Sequence, residues 1–276
     1  MPGRTGEGPA PHRAKRSLGQ NFLIDPNIQR AIVEAIEPDP GDEVLEIGPG
    51  RGALTRYLAA RVGRLILAEL DRELAAKLRE EYAETPAVRV IEGDFLDLTL
   101  EEVSSDPARL KVIGNIPYNI TTPILFSLLE RRPRPLLIVL MVQREVADRI
   151  VATAGSKTYG ALAVGVQSVA EAERVLNVSR RAFRPAPDVD STVVRIVPHQ
   201  PPRLTPETES DLRELTRRAF GQRRKQFQRI IRDGYGLDRG AVEEIEHRTG
   251  MDLRQRPETF PAARFIDLAN ALAGRS

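Results

Sequence analysis

Apolar residues in this chain cluster in short runs, with amphipathic stretches between them. The runs cover 44–47, 65–70, 88–91, 112–113 and 136–142. The stretches at 53–61, 72–82, 122–131 and 145–151 carry apolar residues at helical spacing. Strand alternating with helix predicts crossover units, hence a parallel sheet with helices on both faces. Residues 136–142 are apolar throughout, as a central strand buried on both faces should be. Upstream, Ile28, Ile32, Val33 and Ile36 predict a helix over 26–36, with Asp25 as N-cap and Pro26 in the first turn. Downstream, 160–178 is ambiguous and reads as a helix followed by a strand. The β-branched stretch 191–197 reads as a late, antiparallel strand. Prolines over 198–206 mark a linker, and 207–231, 241–248 and 261–272 predict helices. The expectation is an α/β domain over 15–200 and a small all-helical domain over 201–276. A Gly/Pro-rich arm over 1–14 is expected to be disordered.

Composition narrows the chemistry. The 276 residues include no Cys and only three scattered His, which speaks against disulfides, thiol catalysis and a clustered metal site. No apolar run is long enough to span a bilayer, and the basic N-terminus lacks the apolar core of a secretory signal. We therefore expect a cytoplasmic, monomeric protein with no metal and no membrane partner. Net charge is only +2, but it is unevenly spread. Arg213, Arg217, Arg218, Arg223, Arg224, Lys225, Arg229 and Arg232 crowd one stretch, with few acids nearby. Such a patch suits nucleic-acid phosphates; it also reads as an ordinary solvated helix face.

Three places carry candidate chemistry. Glu46 to Gly52 (EIGPGRG) follows the first run of the sheet and opens a helix. Its alternate glycines allow a tight turn and close approach of a ligand. The spacing is not the dinucleotide fingerprint, and Pro49 removes an amide that would cradle phosphate. The loop suits a nucleoside better than a pyrophosphate. Glu69 lies twenty-one positions after Gly48, where an acid holds a ribose hydroxyl pair. Asp94, at the end of the next run, can accept from an adenine amino group. Singly, Glu69 also reads as a cap or ion-pair partner and Asp94 as a turn former. The third place, Gly114 to Tyr118 (GNIPY), puts an amide, a rigid Pro and a ring at a strand end. These suit a flat base bearing an amino group. They also make an ordinary strand-to-helix turn, with Pro fixing the backbone and Tyr packing as core.

Longer motifs sharpen the choice. EIGPGRGALT at 46–55, NIPY at 115–118 and SLGQNFL at 17–23 resemble motifs of the ribosomal RNA adenine dimethyltransferases. The resemblance continues through TPILF at 122–126, QREVA at 143–147, GSKTYG at 155–160 and FRPAPDVDS at 183–191, and spans nearly the whole chain from about Lys15. It implies a Rossmann-like S-adenosylmethionine-dependent methyltransferase sheet with a small all-helical C-terminal domain. Asn21 and Leu23 would belong to the segment closing over the cofactor, and Gly48 to the loop beside its methionine part. Glu69 would hold its ribose and Asp94 its adenine. Asn115 would sit between cofactor and target base, Pro117 would fix the local carbonyl geometry, and Tyr118 and Phe183 would sandwich the base. For Phe183 the plainer reading is a core Phe before a Pro-rich turn.

The implied reaction is N6,N6-dimethylation of two adjacent adenines in a hairpin loop near the 3′ end of small-subunit (16S) ribosomal RNA, within an assembling small ribosomal subunit. Arg217, Arg218, Arg223, Arg224 and Lys225 would contact RNA phosphates. The erythromycin-resistance methyltransferases of large-subunit RNA share the catalytic motifs, but RPET at 256–259 and LANAL at 268–272 resemble the small-subunit group. A non-catalytic RNA-binding assembly factor is the third alternative. One departure stands in FGQRRKQFQRII at 220–231: Lys225-Gln226-Phe227 replaces the more usual Lys-Thr-Leu, and Gln228-Arg229 an Arg-Asn-like pair. It touches RNA docking rather than the catalytic motifs.

Overall fold

The computed structural model describes Lys15 and residues 19–273. The arm expected to be disordered over 1–14 lies outside the described residues. A two-residue strand, β1 (Phe22–Leu23), leads into α1 (Pro26–Glu34). Asp25 caps that helix, its side chain accepting from the Asn27 and Ile28 amides, with Pro26 opening the first turn. The chain then alternates through β2 (Glu43–Ile47), α2 (Thr55–Leu58), β3 (Arg64–Glu69), α3 (Arg72–Glu81), β4 (Val88–Glu92), α4 (Leu100–Val103), β5 (Lys111–Asn115), α5 (Thr121–Glu130), β6 (Leu137–Gln143) and α6 (Arg144–Ile150). The ambiguous stretch resolves into α7 (Ala161–Gln167) and β7 (Ala170–Val178). The short β8 (Phe183–Arg184) and the long β9 (Ser191–Pro198) complete the strands among the described residues.

Seven of these strands form one sheet in the order β4-β3-β2-β5-β6-β9-β7. The first five are parallel, and β9 runs antiparallel to both β6 and β7, as its pattern predicts. Along β6, Ile138, Leu140 and Val142 pack into the core on one face, and Leu137, Val139 and Met141 into the core on the other. That two-sided burial is why the strand has no polar position before Gln143. Helix residues such as Ile124 and Leu128 of α5 cover the first face; Ile32, Leu58 and Leu78 of α1, α2 and α3 cover the second. From β2 the chain winds outward through β3 and β4, then returns to lay β5 on the opposite side. The strand order therefore reverses between β2 and β5, and the crevice at their C-terminal ends is where such sheets bind ligands.

The C-terminal helices are α8 (Pro206–Gly221), α9 (Phe227–Tyr235), α10 (Arg239–Thr249) and α11 (Ala262–Ala273). The helix expected over 207–231 is thus two. Residues 222–226 break it, and α9 starts without a side-chain cap. Its first amides donate instead to distant carbonyls, Phe227 N to Gln255 O at 2.9 Å and Gln228 N to Leu253 O at 2.7 Å. Phe227 and Phe265 centre a separate core, with ring centroids 5.3 Å apart. Tyr159, Ala163 and Val164, which precede the Pro-rich linker, are part of that same core. A small two-stranded sheet also forms between β1 and β8, pairing Leu23 with Phe183.

Charge ties the helical core to the sheet. Glu209 on α8 takes Arg132 and Arg134, each at 2.6 Å, from the loop after α5. Arg134 and Glu209 are 2% and 5% exposed, so the pair is desolvated. Removing one partner from a buried pair strands the other's charge, at a cost of roughly 3–5 kcal/mol. Glu209→Ala should lower unfolding stability by about that amount, read as a shift in the denaturant midpoint.

Candidate active site

The crevice between β2 and β5 opens into a cavity of about 350 Å³, a size typical of small-molecule sites. Its floor is the loop after β2, where Gly48, Gly50 and Gly52 all take left-handed backbone angles (φ 66°, 60° and 72°). Only glycine adopts these freely. Gly114 on β5 lets the neighbouring strand press close: a Cβ there would sit 2.9 Å from the Ile47 carbonyl oxygen.

Glu69 ends β3 and is 5% exposed. One carboxylate oxygen accepts from Gly50 N at 2.9 Å, the other from Asp71 N at 2.8 Å. Burial raises its pKa, against these two backbone bonds. The Gly50 amide is thus spent on the protein's own acid, which fits a nucleoside loop rather than a phosphate cradle. Asp94 follows β4 and lines the same cavity; its Oδ1 accepts from Leu96 N at 2.9 Å. Ile24 and Leu70, at 46% and 49% among the most exposed large apolar side chains, also line it. Two acids and two exposed apolar side chains therefore share the lining of one cavity.

Asn115 is the last residue of β5. Its amide nitrogen donates to the Asn21 carbonyl at 3.3 Å. That bond uses the amide nitrogen and leaves Oδ1 available as an acceptor on a residue that lines the cavity. Pro117 follows, its carbonyl taken by Ile120 N at 3.2 Å. The Tyr118 phenol is held by Ser191 Oγ at 2.6 Å, and burial raises its pKa against that hydrogen bond. Ser191 is the last residue of the FRPAPDVDS motif, so two motifs far apart in sequence meet here.

Of the residues singled out from the sequence, Asn21, Leu23, Gly48, Glu69, Asp94, Asn115, Pro117 and Tyr118 all line the cavity. Phe183 does not: it is 3% exposed and packed in the core behind β1. The basic residues lie on and just after α8, apart from the cavity. Arg217 and Arg224 are exposed. Arg218 is paired with Glu214, its Nε 2.8 Å from the carboxylate, and Arg223 donates to the Tyr159 carbonyl at 3.0 Å.

Two contributors escaped the sequence reading. Leu70 directly follows Glu69, and its exposure marks it as a wall of the cavity rather than core. Glu46 sits inside β2 at 2% exposure, accepting from Thr55 Oγ1 at 2.7 Å. Desolvation pushes its pKa up to about 8, helped by the nearby Glu69 charge.

Solved structures share this architecture. A dimethyladenosine transferase from Plasmodium falciparum is 26% identical, with a TM-score of 0.74 over 90% of this chain and 95% of that one. The 23S rRNA methyltransferase ErmE is 28% identical, with a TM-score of 0.71 over 92% and 100%. The fold and its crevice are those of a Rossmann-like methyltransferase. The model of the family described as "Ribosomal RNA adenine dimethylase" matches residues 11–273, and the chain belongs to that family. Relatives called ribosomal RNA small subunit methyltransferase A include one from Chlorobium phaeobacteroides (strain BS1), 45% identical over 258 residues, 94% of this chain and 93% of its own. Another, from Geobacter metallireducens (strain ATCC 53774 / DSM 7210 / GS-15), is 38% identical over 263 residues, 94% and 96%.

The buried acid gives a stability test. Because its folded pKa is raised, the Glu46 contribution is fully present below about pH 4.5 and is lost as pH rises through about 8. Glu46→Gln keeps an acceptor for Thr55 and removes the titration. The variant should lose less thermal stability than the parent between pH 5 and pH 8 (roughly the window set by the two pKa values), measured by melting at each pH.

Proposed function

We propose that the chain catalyses S-adenosylmethionine-dependent N6,N6-dimethylation of two adjacent adenines in a hairpin loop near the 3′ end of small-subunit ribosomal RNA, during subunit assembly. The observation that carries it is the Asn115 amide, oriented by the Asn21 carbonyl so that its oxygen is free to accept. Glu69, Asp94, Leu70 and the Gly48 loop would hold the cofactor, Glu69 through ribose hydroxyls and Asp94 through the adenine amine. The cofactor supplies a methyl group on a positively charged sulfur that departs as a neutral thioether.

The target N6 amine is a weak nucleophile, because its lone pair is delocalised into the ring. Asn115 Oδ1 would accept one N–H and the Ile116 carbonyl the other. Two acceptors draw the nitrogen toward tetrahedral geometry and free the lone pair. The protein would act mainly by positioning and by excluding water. Each transfer would leave the nitrogen cationic until it releases one N–H proton to water; after two transfers no N–H remains for either acceptor, so the reaction stops and the base loses its hold. The bases must be splayed out to enter, which single-stranded loops permit. Stacking on Tyr118 would return roughly 1–3 kcal/mol per base. Phe183 adds a second face only if its ring leaves the core behind β1.

On this reading residues 15–200 form the catalytic domain and 201–276 the RNA-docking domain, and the enzyme works as a cytoplasmic monomer. Small-subunit RNA is favoured over large-subunit RNA by the names of the relatives at 38% and 45% identity and by the terminal RPET and LANAL segments. Labelled cofactor with under-methylated small and large subunits separates the two. Labelled dimethyladenosine is expected in the small subunit, and its absence there would sink the proposal. Asn115→Ala should slow methyl transfer roughly 100-fold while cofactor binding persists, by calorimetry. Arg217→Ala with Arg224→Ala should weaken subunit binding and lower the slope of log K against log salt by about 0.9 per lost phosphate contact.

A further inference from the structure

Asp71 is a buried carboxylate that none of the chemistry above uses. It is 2% exposed and stands two residues past Glu69, as the N-cap of α3. Capping needs only one of its bonds, from Glu73 N at 3.1 Å. Two more come from the other end of the site. Lys15 Nζ reaches Oδ1 at 2.9 Å, and Gln20 Nε2 reaches Oδ2 at 2.9 Å. The Lys15 backbone amide in turn donates to Gln20 Oε1 at 2.9 Å. The next residue, Asn21, supplies the carbonyl that orients the Asn115 amide. On its other side, the Asp71 amide is the donor that sets the Glu69 carboxylate. One residue therefore touches both the acid at the ribose position and the segment leading to Asn115. Burial pushes the Asp71 pKa up, but the bonds from Lys15, Gln20 and Glu73 N together hold it below the usual carboxylate range.

We propose that Asp71 is a positioning residue that couples ribose recognition at Glu69 to the ordering of residues 19–23, and through Asn21 to the aim of Asn115. The inference rests on the S-adenosylmethionine reading above. A ligand that engages Glu69 fixes the Asp71 backbone. The fixed Asp71 carboxylate then holds Gln20 and Lys15, and the strand segment that follows stays docked. Linkage makes the effect reciprocal: loosening the segment must weaken ligands that carry a ribose diol. Lys15 is partly exposed, so its pair contributes modestly. Gln20 meets an oxygen of a buried carboxylate, so losing that donor removes a hydrogen bond that water does not readily replace.

The test uses the full chain and three measurements. Calorimetry should give Lys15→Met about threefold weaker cofactor binding and Gln20→Leu about tenfold weaker, with Lys15→Arg close to the parent. With cofactor varied, Lys15→Met should raise the cofactor KM, and at saturating cofactor it should leave kcat within about twofold. Hydrogen exchange over 19–23 should be slowed by adenosine but not by 2′,3′-dideoxyadenosine, and the adenosine effect should shrink in Gln20→Leu. If the parent binds the cofactor and both variants match it, or if the two nucleosides protect equally, the coupling is overturned and the cofactor reading stands. A parent that binds no S-adenosylmethionine overturns both.

Discussion

The Glu69 carboxylate is the point on which the site depends. It is a desolvated acid that stays in place because two backbone amides, from Gly50 and Asp71, donate to its two oxygens. Each bond also fixes something else. The first pins the glycine loop after β2, whose left-handed residues have no side chains to hold them. The second pins the turn into α3. A bare carboxylate buried this deeply would be expensive, and the same bonds that lower the expense give the loop and the turn their shape. From Asp71 the order passes through Gln20 to Asn21 and so to Asn115. Glu69 and Asn115, from strands β3 and β5, are therefore joined by one set of hydrogen bonds that runs through the segment around β1.

The sheet supplies the frame for that set. Reversal of strand order between β2 and β5 opens the crevice, and Gly114 lets the two strand ends approach closely. The helical region is joined to this frame by packing and by charge. Its core borrows Tyr159 and Val164, and its first long helix is fastened by Glu209 to the two arginines after α5. The cations on and beyond α8 are thereby held in a set relation to the crevice.

Much of this was legible because the sheet is buried on both faces. Continuous apolar runs such as 136–142 have no other ready explanation, and the acids at 69 and 94 stand where those runs stop. What stayed hidden depends on partners far away in sequence. The strands β1 and β8 are two residues each, too short for any periodicity, and exist because Leu23 meets Phe183. The break before α9 carries no local cap, since its first amides find carbonyls at Leu253 and Gln255. Glu46 looks like any polar residue in a strand until Thr55 and Glu69 are placed around it. Phe183 was legible both as part of a motif and as a core Phe before a Pro-rich turn, and packing chose the second, because a motif names the residue and not where its ring goes.

The spent amide of Gly50 has one more consequence. A cell holds adenosine triphosphate and nicotinamide dinucleotides in abundance, and both present the adenosine that this crevice suits. Rivals of that kind bring phosphates, and phosphates need free backbone donors or cations. Here the loop's amide faces Glu69, Pro49 offers none, and Glu46 and Glu69 add buried acid close by. On the side of the glycine loop's amides the crevice is thus poorly furnished for phosphate, and the cations in its lining are Arg51 and Arg56. What the loop itself offers a phosphate is set by where a single N–H is pointed.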